Sequence, residues 1–332
     1  MVLSFEGSAY AHVALVHELR RPRVVPFRRR GRDWELRLAR PDVDRLEYLL
    51  ELRGHDGGIE RVPDPGNPLR AQGAFGEKSV VEFPSYAPPA WVSDDESPKG
   101  RLQERSLRSR ALRTSVDALV WTPADADPAE PLPLMLVHDG PEFARYGGLL
   151  RLCDHLVAFG EVERFRAVLL PPPLDRNESY SASARYARAL VEEWLPALPS
   201  AGRPVGLGVS LGAAALLHAH WRYPGRFGGL FLQSGSFFRR SLDAHEARFG
   251  RFARLTRFVS SVVGGRGSSA PIPVTVTCGT GEENLDNNRV VVAALRRRGW
   301  NVTFVEHRDA HNWISWRDTL HPYLAELLLR AG

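Results

Sequence analysis

From about residue 111 onward, two kinds of apolar run alternate along the chain, and that alternation restricts the fold more than any other feature. Short runs rich in Val, Leu and Phe ("VDALVWTP", "PLMLVHDG", "FRAVLLPPP", "PVGLGVS", "GGLFLQSGS", "PVTVTCGT", "NVTFVEH") read as buried strands. Most are followed by helix-patterned stretches such as "LLRLCDHLVAFG", "SARYARALVEEWLPAL", "LGAAALLHAHWRY", "AHEARFGRFARLTRFVSSVV", "RVVVAALRRRG" and "ISWRDTLHPYLAELLLR". A parallel strand pair needs a long crossover, usually a helix. Repeated strand–helix units therefore predict a mainly parallel, doubly wound sheet with helices on both faces.

The first part of the chain has another character. Runs such as "HVALVHEL", "WELRLA", "RLEYLLELRG" and "SVVEF" are separated by Gly, Pro and Asp, with no long helical pattern between them. They predict a small β-sandwich over residues 1–92. The Pro-, Ser- and acid-rich stretch from Pro84 to Arg101 is the best linker candidate, so residues 93–110 are expected to be linker and lead-in. The doubly wound domain is then 111–332.

Composition excludes several classes. No run of about 18 apolar residues exists, so no membrane helix is expected. The start of the chain lacks the basic, apolar and cleavage regions of a secretory leader, which leaves the cytoplasm as the expected compartment. Cys153 and Cys278 are the only cysteines; they read as buried small hydrophobes, not a disulfide framework. No C-x-x-C or H-E-x-x-H is present, so no metal site is expected. The formal charge is +5, and the densest basic run is "RRPRVVPFRRRGR", Arg20 to Arg32. It lacks the interleaved aromatics of single-strand binders and reads as a solvated face; no nucleic-acid partner is expected.

The pentapeptide Gly208–Val–Ser–Leu–Gly212 sits between the strand-like "RPVGLGV" and the helical "LGAAALLHAHW". The chain must turn there within one or two residues, and the two glycines permit it. Such a turn lifts the Ser210 hydroxyl above the strand end and points the Leu211 N–H at the place where an oxyanion would form. A Gly-flanked helix start without chemistry is the competing reading.

A serine hydroxyl needs a base. His311, in the loop between the last strand and the last helices, is the candidate. His245 and His321 fall in helical patterns, and His307 lies at the last strand's end. The acid is expected in "TGEENLDNN" after the preceding strand. Glu282 is nearest the strand end, Glu283 is its main rival, and Asp286 suits a helix cap. The second oxyanion donor is expected after "LMLVH". Pro141 has no N–H, so Gly140 or Glu142 must supply it.

Taken together, "LVHDGPEF", "DRNESY", "GVSLGA", "QSGSFF", "GTGEENLDNNR" and "DAHNWISWR", with "DPGNP" and "SVVEFPSYAPPAW" before them, resemble the enterochelin (ferric enterobactin) esterases. These belong to an esterase branch of the α/β-hydrolases that includes S-formylglutathione hydrolases, feruloyl esterases and mycolyltransferases. The resemblance covers nearly the whole chain. It implies an α/β-hydrolase with a mainly parallel doubly wound sheet, preceded by a small immunoglobulin-like β-sandwich. It implies a triad of Ser210, His311 and Glu282, with Glu283 as the alternative acid, and oxyanion donors at Leu211 and Gly140. It also implies ester hydrolysis without a cofactor, on a small-molecule substrate such as an anionic ferric catecholate trilactone. Arg145, Arg176, Trp313, Trp316 and Arg317 are the candidate substrate contacts. Pro141 after Asp-Gly, and "DAHNW" in place of Gly-Gly-His-Asp, depart from the pattern of many relatives. A general carboxylesterase or acyltransferase, and a degraded hydrolase that only binds, are the rival readings. An oligomer is compatible with all of them.

Overall fold

Residues 1–127, 129–267 and 270–331 are described by a computed structural model, and their contacts group into two compact units. The first contains Met1–Ala87 together with two later loops, Gly279–Glu283 and Glu306–Ser315. The second contains Pro88–Cys278, Asn284–Val305 and Trp316–Gly332.

The first unit is antiparallel. Strands β1 (Val2–Glu6), β4 (Arg28–Arg30) and β5 (Asp33–Arg37) form one sheet in the order β1-β5-β4. The second sheet uses β2 (Tyr10–His17), β3 (Val24–Pro26), β6 (Arg45–Gly54), β8 (Arg70–Ala71) and β9 (Lys78–Glu82) in the order β3-β2-β6-β9-β8; β7 (Ile59–Val62) also pairs with β6. Alternation decides which side chains enter the core: along β6, Tyr48, Leu50 and Leu52 are buried while Glu51 between them is not. They pack with Val13 and Leu15 against Phe5, Trp34 and Leu36 of the other sheet, so the two sheets share one core. The Tyr48 hydroxyl is carried into that core and donates to Asp64 Oδ2 at 2.7 Å, in the "DPGNP" loop.

The second unit is built on an eight-stranded sheet. Its strands are β10 (Arg101–Ser109), β11 (Thr114–Thr122), β12 (Leu134–His138), β13 (Arg166–Leu170), β14 (Val205–Val209), β15 (Gly229–Gln233), β16 (Val274–Gly279) and β17 (Val302–His307). Their order is β10-β11-β13-β12-β14-β15-β16-β17. The pairs from β13 through β16 are parallel, and β10–β11 and β11–β13 are antiparallel. Every residue of β12, β13, β14, β15 and β16 is buried. That explains their unbroken apolar runs: helices cover both faces of a doubly wound sheet. The mainly parallel, doubly wound sheet expected from the sequence is therefore present.

Two local features depart from the sequence pattern. "RLQERSLRS" has no apolar alternation, yet it forms β10 at the sheet edge; its backbone pairs with β11 while most of its side chains stay exposed. "SARYARALVEEWLPAL" was expected to be one helix. It is a short α-helix at Ala184–Arg188, a π-helical turn at Ala189–Trp194 and a 3-10 turn at Leu195–Ala197. Pro196 lacks the N–H that a regular helix would need there.

The chain reverses its build direction between β12 and β14. It adds β13 on one side of β12, then β14 on the other. Crevices outside the carboxyl ends of strands at such a switch point are where this class of sheet binds ligands. His138 ends β12 at that point and is fully buried, which lowers its pKa from the ordinary value to about 4. A histidine kept neutral by folding favours the native state above its unfolded pKa; that contribution is lost as the pH falls from 6.5 toward 4. Urea titrations between pH 7 and pH 4 should show His138 costing about 3 kcal/mol over this window, and His138→Gln should flatten the corresponding slope.

Candidate active site

Ser210 is the single residue between β14 and helix α1 (Leu211–Arg222). Its backbone is at φ 54°, ψ −121°, a conformation that a non-glycine residue adopts only when its surroundings impose it. Three backbone hydrogen bonds impose it. The Ser210 N–H donates to the Gln233 carbonyl at 2.9 Å, and the Ser210 carbonyl accepts from Ser236 at 3.0 Å and Ala214 at 3.3 Å. The flanking glycines let strand and helix approach. A Cβ on Gly208 would lie 2.8 Å from the Gly212 carbonyl carbon, and one on Gly212 would lie 3.1 Å from His138 Cβ. Ser210 Oγ is 3.1 Å from Ser236 Oγ, a residue of the "QSGSFF" stretch that was not among the site candidates. Leu211 opens the helix, where N–H groups lack intrahelical acceptors and the dipole is positive.

The loop after β12 is equally constrained. Asp139 is at φ 51° and precedes the short helix Gly140–Tyr146. A Cβ on Gly140 would lie 2.4 Å from Leu169 Cα, so only glycine fits. Asp139 is nearly buried, and Arg176 meets it with both arms of its guanidinium: Nε to Oδ1 at 2.8 Å and Nη2 to Oδ2 at 2.7 Å. Arg176, expected at the substrate, thus also locks the Gly140 loop, and its guanidinium lies 5.1 Å over the Tyr180 ring. Behind the loop, His138 Nδ1 contacts the Gly212 carbonyl at 3.0 Å and Nε2 contacts the Tyr186 hydroxyl at 3.0 Å. A carbonyl only accepts, so Nδ1 carries the proton and the tyrosine donates to Nε2. The imidazole also stacks on Tyr180 at 4.7 Å.

The loop after β15 is held by side chains as well. Trp316 Nε1 donates to Ser234 Oγ at 2.9 Å, and Asn284 Nδ2 donates to the Ser234 carbonyl at 3.1 Å. The Asn288 amide brackets Gly235, accepting from its N–H at 3.1 Å and donating to its carbonyl at 2.9 Å. Trp316 is therefore a buried support of this loop, with 6% of its surface exposed. Arg317 pairs with Asp318 at 2.7 Å, and Arg145 lies exposed, 5.2 Å over the Tyr146 ring. Cys153 and Cys278 are buried and are not bridged to each other.

In the first unit, the carboxylate of Glu282 is 1% exposed and fully engaged. Oε1 accepts from the Gly279 N–H at 2.8 Å, and Oε2 lies 2.7 Å from His311 Nδ1. Glu283, adjacent in sequence, points its carboxylate elsewhere, at Arg21 and Arg23. The His311 loop is knitted by two residues of the "DAHNW" variation. Asp309 Oδ1 accepts from the Ala310 N–H at 2.7 Å and from Asn312 Nδ2 at 3.0 Å, and Asn312 Oδ1 accepts from the Ser315 N–H at 2.8 Å. Burial raises the Asp309 carboxyl to about 7. His307 contacts Ser315 Oγ at 2.6 Å and is pushed down to about 4 by burial. Trp313 lies against the backbone at Gly73, where a Cβ would sit 3.6 Å from its Cδ1.

No family profile matches the chain. Over 304 residues, 86% of this chain and 72% of the relative, it is 24% identical to the iron(III) enterobactin esterase of Escherichia coli O6:H1. In fold it resembles the enterobactin esterase of Shigella flexneri crystallised in the presence of enterobactin, with a TM-score of 0.77 at 20% identity, covering 99% of this chain and 92% of that one. A CE1 ferulic acid esterase from the anaerobic fungus Anaeromyces mucronatus matches with a TM-score of 0.59 at 15% identity, covering 74% of this chain and 96% of that one. The resemblance to enterobactin esterases that the motifs carry is thus borne out, and the α/β-hydrolase type of fold is shared.

The strained turn has a measurable consequence. Ser210→Gly should relax the positive φ and raise the melting temperature by roughly 2–4 °C, equivalent to about 1 kcal/mol. Ser210→Ala, which keeps the strain, should not. Differential scanning calorimetry of both variants checks this.

Proposed function

We propose that this chain is a serine esterase in which Ser210 is the nucleophile, His311 the general base and Glu282 the acid that orients it. The observation that carries this reading is the Ser210 turn, a non-glycine residue held at φ 54° between a buried strand and a helix. Support comes from the 2.7 Å contact between His311 Nδ1 and Glu282. It comes also from chain order: serine after β14, acid after β16 and histidine after β17, the order of α/β-hydrolases. Glu283 is the weaker candidate because its carboxylate serves two arginines.

With Nδ1 turned to Glu282, Nε2 of His311 takes the Ser210 proton as Oγ attacks the ester carbonyl carbon. The carbonyl π pair moves onto oxygen. The N–H groups of Leu211 and Gly140 receive that oxyanion, each contributing roughly 2.7–4 kcal/mol to the transition state. Collapse expels the alcohol, which takes the proton from His311, and leaves an acyl-serine. Water then attacks, giving its proton to His311. The second tetrahedral intermediate releases the carboxylic acid as Ser210 regains a proton. Glu282 stabilises the imidazolium in both halves.

The proposed substrate is a catecholate trilactone, free or ferric, with any iron belonging to the substrate. The enterobactin esterase likenesses and the net charge of +5, suited to an anionic ligand, support it. A general carboxylesterase is the second reading, favoured by the ferulic acid esterase likeness. We place the enzyme in the cytoplasm, a compartment that suits two cysteines not bridged to each other.

The test is hydrolysis of p-nitrophenyl butyrate and of a catecholate trilactone, apo and ferric. Ser210→Ala should lower kcat by at least about 10⁴-fold on whichever ester is cleaved, and Glu282→Gln by about 10²- to 10⁴-fold. Preference for the generic ester would move the substrate to the second reading. Failure of Ser210 to label with a fluorophosphonate, with no turnover, would remove the esterase.

A further inference from the structure

The Glu282 and His311 loops group with residues 1–87, and the contacts that hold them are specific. The Arg20 N–H donates to the Gly281 carbonyl at 2.8 Å, and Arg20 Nε donates to the Glu282 carbonyl at 3.1 Å. Arg21 Nε approaches one Glu283 oxygen at 3.2 Å while Arg23 takes the other. The Glu283 side chain is only 11% exposed, against 63% for Arg21 and 48% for Arg23, so a shielded carboxylate lies beneath two exposed cations. On the other loop, the Asp44 N–H donates to the Arg308 carbonyl at 2.6 Å, and the Arg308 guanidinium reaches Asp42 and Asp44. The loops also bond to each other, Thr280 N–H to the His307 carbonyl at 2.7 Å and Gly281 N–H to the Asp309 carbonyl at 3.0 Å.

Packing reinforces these ties. Leu19, Val43, Leu46 and Phe83 form a cluster that Ala310 of the His311 loop completes. Gly281 sits flush against it; a Cβ there would lie 2.8 Å from Leu19 Cδ2 and 3.0 Å from Val43 Cγ1.

We infer that the segments Leu19–Arg23 and Asp42–Asp44 hold the Glu282–His311 pair in working geometry, with Glu283 as a positioning residue acting through Arg21 and Arg23. The inference deepens the esterase reading and rests on it for the catalytic task of the pair. Glu283 shares a peptide bond with Glu282, so releasing Glu283 frees the backbone that aims the Glu282 carboxylate. A displacement of about 1 Å in such a group costs up to about 10²-fold in rate. An exposed ion pair alone is worth little, but here two cations share one shielded carboxylate.

The test uses the full chain carrying Glu283→Gln, the double variant Arg21→Gln/Arg23→Gln, and the swap Glu283→Arg/Arg21→Glu/Arg23→Glu. For p-nitrophenyl butyrate, kcat should fall about tenfold to a hundredfold in the first two, with KM and melting temperature essentially unchanged. The swap should recover most of the loss. Amide hydrogen exchange over 279–283 should quicken about tenfold or more, with 205–222 unaffected. Exchange over 279–283 equal to wild type, or kcat within about twofold of wild type in the double variant, would overturn the inference. If the wild type itself shows no Ser210-dependent turnover, the esterase reading falls separately, and the exchange measurement still decides whether these arginines hold the loop.

Discussion

Gly208 and Gly212 let a buried strand and a helix meet at backbone distance, and the second unit is arranged around that meeting. With no Cβ at either position, β14 can pass directly into α1 through one residue, and that residue is forced to positive φ. The strain is local, but what resists it is not. Gln233 and Ser236 from the next strand-end loop hold the Ser210 backbone, and the buried His138–Tyr186 pair holds the Gly212 carbonyl. Asn284, Asn288 and Trp316 in turn fix the loop that carries Ser236. A strained serine persists because several elements over-determine it.

The loop after β12 follows the same logic with a charge. Gly140 must be glycine because Leu169 lies behind it, and Asp139 must be held because it too sits at positive φ. A bidentate arginine does this with two short bonds, and Lys could not reproduce the fork. Arg176 thus has a structural task whether or not a substrate also meets it.

The first unit extends beyond the N-terminal strands. Its compact set of contacts includes the loops carrying Glu282 and His311, so the geometry of that pair depends on strands and loops more than 200 residues earlier in the chain. Asp309, Asn312 and Ser315 then hold the histidine loop from within. Two residues of "DAHNW", Asp309 and Asn312, supply these bonds from their side chains.

Much of this was legible in the sequence. Continuous apolar runs separated by helical patterns could only be parallel strands covered on both faces, and G-V-S-L-G between a strand and a helix could only be a tight turn. Chain order left few candidates for acid and base. What the sequence did not carry were interactions between distant segments of similar residue type. Arg20 to Arg32 read as a uniform solvated run; in the structure Arg21 and Arg23 clamp Glu283 while Arg28–Arg30 stay exposed. The choice of carboxylate beside His311 was likewise open between two adjacent glutamates. By itself the sequence determined the strand–helix rhythm, the serine turn and its glycines, because periodicity and small residues act locally. Tertiary structure alone decided the partners of each charge, because ion pairs and hydrogen bonds are set by which surfaces meet, and local pattern holds no record of that.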